Sequence, residues 1–157
     1  LCLMDEPLQY FSEGFFAQRE RLLAAKELDH PRFRYAHQFA EADAIVIAAP
    51  FWDLAFPALL KVYIENVSVE GITFGCNASG CFGICRAERM LFLTTRGGSY
   101  DGAPDEMGAR YLEALCGFFG IPRFDCVAAD GLDLGLRPVE EILAEAKAKA
   151  AALAATL

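Results

Sequence analysis

Three short segments of the chain are mostly apolar and are bounded by proline, glycine or charged residues. They cover residues 44–49, 90–94 and 124–129. Each is too short for a helix, and near-continuous apolarity is typical of strands that are covered on both faces in a parallel sheet. We therefore predict three parallel strands, the first of which ends at Pro50.

Amphipathic stretches with helical spacing separate and flank these strands. Predicted helix starts, each with a capping or first-turn residue, lie at Ser12, Pro31, Pro57, Pro104 and Pro138. Gly120 is the predicted C′ residue of the fourth helix, and the last helix is expected to run to about Leu157. Residues 1–9 are predicted to be the end of a strand running into a loop, and residues 71–74 a short extended piece.

The alternation of strands and helices predicts an α/β fold with right-handed crossovers. A strand as apolar as residues 44–49 needs a hydrogen-bonded neighbour on each side, and the chain supplies one. We expect a further strand–helix–strand unit of roughly thirty to fifty residues upstream of Leu1. Residues 1–157 are accordingly expected to form a single domain that is incomplete at its N-terminus.

The composition narrows the class of protein. The chain has 157 residues, of which 55% are hydrophobic and 23% charged, and this is typical of one globular domain. A formal net charge of −8 argues against a nucleic-acid partner. No apolar run approaches the roughly 18 residues of a membrane helix, so we expect no membrane association and a cytoplasmic location.

Six cysteines would suggest disulfides in a small secreted protein, but the large apolar core and the expected compartment favour reduced thiols. Cys116 and Cys126 fall in apolar patterns and are predicted to be small core residues. Cys76, Cys81 and Cys85 lie in a glycine-rich loop, interpreted as a hairpin. A metal or redox role is the alternative, although zinc and iron–sulfur sites usually have four ligands at tighter spacing.

Candidate chemistry lies where two predicted strands end. Ligands of open parallel sheets bind beyond the carboxyl ends of the strands. One strand is followed by Phe51, Trp52, Asp53 and Leu54, and the next by Thr95, Arg96, Gly97 and Gly98. Aromatic faces can stack on a flat ring, and consecutive glycines allow close approach of backbone N–H groups beside a guanidinium. The pattern predicts a site for a planar, anionic heterocycle; aromatic packing under a loop and a glycine-dependent turn are the alternative.

These segments resemble a known family. Residues 42–61 read A-D-A-I-V-I-A-A-P-F-W-D-L-A-F-P-A-L-L-K, which is similar to a block of the FMN-dependent azoreductases and related NAD(P)H:quinone oxidoreductases. Residues 71–74 (G-I-T-F), 94–98 (T-T-R-G-G) and 117–121 (G-F-F-G-I) resemble further blocks of that family in the same order.

The resemblance implies a flavodoxin-like, doubly wound sheet of strand order 2-1-3-4-5, with FMN held at a homodimer interface. It also implies transfer of two electrons from NADH or NADPH to quinone or azo acceptors, with residues 51–54 along the isoalloxazine and residues 95–98 at its pyrimidine side. The flavin carries the hydride chemistry, so no acid–base triad is required. The alternatives are an NADPH-dependent FMN reductase, an electron carrier, or a non-catalytic flavodoxin-like dimer module.

Three departures from the family pattern affect these expectations. The serine-rich FMN-phosphate loop is not in this sequence, so we expect the 157-residue chain to bind FMN weakly or not at all. Asp53 replaces the usual Asn, which places a carboxylate near an electron-rich ring. Trp52 replaces Tyr, which enlarges the stacking surface.

Overall fold

The computed structural model describes residues 1–156, which form an α/β domain. In chain order its helices are α1 (Glu13–Ala24), α2 (Arg34–Glu41), α3 (Ala58–Val67), α4 (Gly108–Phe119) and α5 (Val139–Ala154). The strands are β1 (Ile45–Ala48), β2 (Phe74–Asn77), β3 (Gly80–Gly83), β4 (Met90–Thr95) and β5 (Phe124–Ala129). Short 3-10 helical turns cover Leu3–Asp5 and Pro31–Phe33. Among residues 1–156, no helix has the length and apolarity needed to cross a membrane.

The main sheet is parallel and has the order β1-β4-β5. Ile45 of β1 pairs with Met90 of β4, which in turn pairs with Phe124 of β5. The three predicted strands and the α/β parallel fold are therefore confirmed. Within residues 1–156, β4 is the one strand of this sheet with a neighbour on each side.

Among residues 1–156, one face of β1 is only partly covered. Ile45 is buried, but Val46, on the opposite face, is 52% exposed. A groove of about 380 Å³ lies on this second face, between α5 and the strands, and Ala48 and Leu93 contribute to its walls. The described residues thus leave part of the apolar surface of β1 exposed.

The main core lies on the other face of the sheet, where α2, α3 and α4 pack. Met90 and Phe92 of β4 are almost completely buried there, together with Leu112 and Phe119 of α4. Leu93, whose side chain alternates to the other face, lies beside α5. Helices on both faces of a parallel sheet are the doubly wound arrangement that the sequence predicts.

Several helix ends match the sequence signals. The Ser12 hydroxyl accepts a hydrogen bond from the Phe15 N–H at 3.4 Å, as expected of an N-cap residue. The His30 ring accepts from the Arg32 N–H at 3.1 Å at the start of the Pro31 turn. Gly120 follows α4 with a φ of 79°, the left-handed conformation that favours glycine. The predicted starts at Pro57 and Pro138 are confirmed within one residue, whereas Pro31 begins a 3-10 turn and α2 follows from Arg34. Leu157 lies outside the described residues.

Three local predictions were wrong. Residues 1–9 contain a 3-10 turn instead of a strand end, and Glu6 accepts a hydrogen bond from the Tyr35 hydroxyl at 2.6 Å, which holds this segment against α2. Residues 71–73 form a turn, and the extended segment begins at Phe74. Helix α4 begins at Gly108 instead of Pro104, because the preceding residues form a loop in which the Met107 N–H donates to the Leu54 carbonyl at 2.9 Å.

The predicted glycine-rich hairpin is confirmed as β2 and β3, which pair antiparallel with Cys76 opposite Cys81. The expectation of reduced thiols is wrong for these two residues, which form a disulfide because their cross-strand pairing brings the sulfurs together. Cys2, Cys85, Cys116 and Cys126 are free; Cys116 is buried in the core as predicted, and Cys126 is partly buried.

Candidate functional site

The structure brings both predicted ligand segments to one edge of the sheet. The Ala49 N–H donates to the Leu93 carbonyl at 3.1 Å, and the Phe51 N–H donates to the Thr95 carbonyl at 3.0 Å. These bonds extend the β1–β4 pairing past the strand ends. Residues 51–54 and 95–98 therefore lie side by side, as parallel strand topology requires.

The first segment is a tight turn. Trp52 and Ala55 exchange backbone hydrogen bonds of 3.3 and 2.8 Å, and Asp53 and Leu54 between them have φ values of 49° and 66°. Positive φ at both central residues is the type I′ pattern. Asp tolerates this conformation, but Leu does so at a conformational cost. The strain is held because the Leu54 carbonyl accepts from Met107.

The two aromatic residues of this segment have different surroundings. The Phe51 ring packs against Tyr100 with a centroid separation of 4.5 Å, so the alternative of aromatic packing under a loop describes Phe51. Trp52 is 60% exposed. Its indole therefore offers an exposed apolar face on which a flat ring can stack, whereas the Phe51 ring is occupied by its contact with Tyr100.

The second segment is a glycine turn with two unpaired donors. The Gly97 carbonyl accepts from the Asp133 N–H and the Gly98 carbonyl from the Gly131 N–H, each at 2.9 Å. Within residues 1–156, the N–H groups of Gly97 and Gly98 have no hydrogen-bond partner. They are the unpaired backbone donors of this segment.

Two side chains lie close to the Cα atoms of these glycines. A Cβ atom on Gly97 would lie 2.2 Å from the Asp133 Oδ2 atom. A Cβ atom on Gly98 would lie 2.9 Å from the Tyr100 ring. Both neighbours are the ends of flexible side chains, so a side chain added at either position would displace Asp133 or Tyr100.

Arg96 has a structural role that the sequence did not reveal. Its side chain is 4% exposed, with Nη2 3.1 Å from Glu106 and Nη1 3.6 Å from Asp130. Its backbone N–H donates to the Ala129 carbonyl at 2.8 Å. The interpretation in which this guanidinium lies beside the bound ring is therefore replaced by one in which it fixes the glycine turn from within.

The same network ties together three loops. Glu106 accepts from the Ala109 N–H at 3.0 and 3.2 Å and so caps α4. Asp130 accepts from the Tyr100 N–H at 2.9 Å. Neither carboxylate was predicted from the sequence. Asp130 directly follows β5, and ligands of open parallel sheets bind beyond the carboxyl ends of the strands, so this signal was present for Asp130.

Beside Arg96 lies a pocket of about 470 Å³ with a balanced set of charges. Arg96, Arg110 and Lys149 line it together with Asp101, Glu106 and Asp130. Neither sign of charge dominates, so the pocket shows no preference for an anion or a cation. Among residues 1–156, no group of three or more His, Cys, Asp or Glu side chains could hold a metal ion.

The two segments bring an aromatic face and unpaired backbone donors to the same edge of the sheet. The exposed indole of Trp52 supplies a stacking face, and the free N–H groups of Gly97 and Gly98 supply donors. Both sit on backbone that is fixed by hydrogen bonds and by the buried Arg96 ion pairs. The site is thus preorganised at the carboxyl edge of a doubly wound sheet.

Comparison with known proteins gives the class. The family model for the flavodoxin-like fold matches residues 1–154, and the chain belongs to this family. The azoreductase of Bacillus anthracis has a similar structure, with a TM-score of 0.86 at 27% identity over 99% of this chain and 79% of that one.

Sequence relatives narrow the comparison. The chain is 49% identical over 121 residues to the FMN-dependent NADH:quinone oxidoreductase of Clostridium perfringens, a match that covers 77% of this chain and 61% of the relative. It is 48% identical over 118 residues to FMN-dependent NADH:quinone oxidoreductase 2 of Clostridium acetobutylicum, covering 73% and 59%. The chain thus spans about three fifths of the length of these relatives.

Proposed function

We propose that this chain belongs to an FMN-dependent oxidoreductase that transfers two electrons from NADH or NADPH to a quinone or azo acceptor. The observation that carries the proposal is the pairing of two free backbone donors, on Gly97 and Gly98, with the exposed indole of Trp52 at one sheet edge. The proposal is supported by the relatives, whose names specify FMN, NADH and quinone.

The chain's own residues would bind and orient the flavin. Trp52 and Leu54 would contact the isoalloxazine, and the Gly97 and Gly98 N–H groups would donate to its pyrimidine end, where negative charge collects on reduction. Thr95 and Arg96 would position these donors through the backbone. Bound FMN supplies the hydride chemistry itself, so the protein's task is to bind, orient and exclude competing reactions.

Asp53 would lower the reduction potential of the bound flavin. The residue is exposed at the first central position of the turn that carries Trp52. A carboxylate there opposes the accumulation of negative charge on the reduced ring, and solvent weakens the effect. Compared with an Asn at this position, Asp53 would favour the oxidised state.

A homodimer would complete the site. Trp52, Leu54 and Met107 are all exposed large apolar residues, and a backbone hydrogen bond joins the last two. An apolar patch at a ligand edge is a feature of association surfaces. We include the homodimer, and a cytoplasmic location with access to NAD(P)H, in the proposal.

Fluorescence tests the flavin site directly, because Trp52 is the only tryptophan in the chain. Titration with FMN, and with riboflavin as the phosphate-free probe, is expected to quench Trp52 emission with a saturable curve. Gly98→Ala should weaken binding about tenfold or more, whereas Gly14→Ala, which has open space around the added Cβ, should not. A linear curve equal to that of free N-acetyltryptophanamide would contradict the site.

The steady-state rate of NADH or NADPH oxidation distinguishes the proposed function from its alternatives. With added FMN, the proposed enzyme should oxidise NADH or NADPH at a rate that depends on the concentration of a quinone such as menadione. An FMN reductase would consume the nucleotide at a rate independent of quinone. An electron carrier or a non-catalytic dimer module would consume none.

A further inference from the structure

The tip of the β2–β3 hairpin carries a disulfide that nothing covers within the described residues. Cys76 and Cys81 are bonded and stand directly opposite each other in the antiparallel register. Every residue from 76 to 82 is exposed. A small thiol can therefore reach this bond from solvent while the protein remains folded.

The base of the hairpin is anchored independently of the disulfide. Gly83 packs directly on the backbone of Phe119 and Gly120, and the Cys85 N–H donates to the Phe119 carbonyl at 3.1 Å. The Phe74 ring lies 4.6 Å from that of Phe118. Opening the disulfide would leave these contacts in place, so the two thiols would stay near each other and could re-form the bond.

The remaining thiols near this region are unsuited to exchange. The Cys85 Sγ donates to the Thr73 carbonyl at 3.4 Å, and burial raises the pKa of this thiol to about 11. It is therefore protonated at neutral pH, and a thiol is a far weaker nucleophile than a thiolate. Cys116 is buried with its Sγ 3.7 Å from the Met90 sulfur. Exchange at the hairpin is thus confined to the exposed pair.

We propose that Cys76 and Cys81 form a reversible thiol–disulfide exchange site that reacts with low-molecular-weight thiols. A thiolate attacks one sulfur of the pair, forming a mixed disulfide and releasing the other cysteine as a thiolate that takes a proton from water. A second thiolate then attacks the mixed disulfide at the added sulfur, releasing the second cysteine. In sum, the protein disulfide and two thiols give two cysteine thiols and one small-molecule disulfide, a two-electron reduction that the reverse steps undo.

The test uses the native 157-residue chain in buffers of graded reduced and oxidised glutathione. After acid quenching and alkylation with N-ethylmaleimide, peptide mass spectrometry reports which cysteines carry the label. We expect Cys76 and Cys81 to become labelled together in one two-electron transition, with an unchanged far-ultraviolet circular dichroism spectrum. Labelling of both residues in excess oxidised glutathione, or resistance of the bond until denaturant is added, would overturn the proposal.

Two variants assign the chemistry to this pair. Cys85→Ser should show the same transition within about twofold in the glutathione ratio, because Cys85 takes no part; a shift of more than tenfold would overturn the assignment. Cys81→Ser leaves Cys76 without its partner, and oxidised glutathione should then add one glutathionyl group at Cys76. Absence of that adduct from the folded variant would show that the tip is inaccessible and would also overturn it.

Discussion

The carboxylate of Glu106 lies 3.1 Å from the guanidinium of Arg96, and the two side chains are 8% and 4% exposed. Glu106 also caps α4 through the Ala109 N–H. Arg96 in turn belongs to the turn that presents the Gly97 and Gly98 donors. One buried ion pair therefore couples the start of a helix to the candidate ligand loop.

Glu106→Gln is expected to destabilise the fold by about 3 kcal/mol, because it leaves the Arg96 charge buried with only the longer contact to Asp130. Urea denaturation followed by circular dichroism measures the change. Glu65→Gln is the matched control: Glu65 pairs with Lys61 at 2.7 Å on the exposed face of α3 and should cost at most about 0.5 kcal/mol. Equal losses in the two variants would show that the buried pair contributes no more than an exposed one.

Gly83→Ala should detach the hairpin from α4. A Cβ atom on Gly83 would lie 1.8 Å from the Phe119 carbonyl carbon, and backbone cannot yield as a flexible side chain can. We expect a loss of about 3 kcal/mol in the free energy of unfolding. Gly117→Ala, in α4 with open space around the added Cβ, should instead stabilise by roughly 0.5 kcal/mol or more. A neutral Gly83→Ala variant would show that the hairpin does not pack on this helix.

The sequence predicted the elements because their signals are local. Ser12 and Gly120 mark helix ends through hydrogen bonds and φ preferences within a few residues. The apolar segments 44–49, 90–94 and 124–129 likewise specify strands without reference to the rest of the chain. Because the carboxyl ends of neighbouring parallel strands meet at one edge of the sheet, residues 51–54 and 95–98 are predicted to lie together, and the structure shows this.

The features that the sequence did not predict depend on side-chain partners that no local pattern of residue types identifies. An arginine beside two glycines is equally compatible with a ligand contact and with a buried ion pair, and only the positions of Glu106 and Asp130 distinguish them. The disulfide depends on the hairpin register, which a glycine-rich segment specifies weakly. Composition and compartment therefore gave the wrong expectation for Cys76 and Cys81.

Asp53→Asn should make reduction of bound flavin easier, because it removes a negative charge beside a ring that gains one. For an exposed carboxylate, we expect affinity for reduced FMN to rise by about two- to fivefold relative to oxidised FMN. The measurement is the midpoint potential of bound flavin against a reference dye. Asp43→Asn is the control, since it makes the same charge change just before the amino end of β1. Equal shifts in both variants would mean that Asp53 acts only through net charge.

Tyr63→Phe should make the fold less sensitive to alkali. Burial, with a smaller contribution from Tyr35, raises the pKa of Tyr63 to about 12, against about 10 in the unfolded chain. A raised pKa means that the neutral phenol contributes stability in full below about pH 10, and that this contribution is lost as the pH rises towards about 12.

The urea midpoint of the wild-type chain should therefore fall more steeply across this interval than that of Tyr63→Phe. Tyr10→Phe, which alters a side chain that is 72% exposed, is the control and should follow the wild-type curve. Parallel curves for all three chains would show that the Tyr63 phenol ionises equally well in the folded and unfolded states.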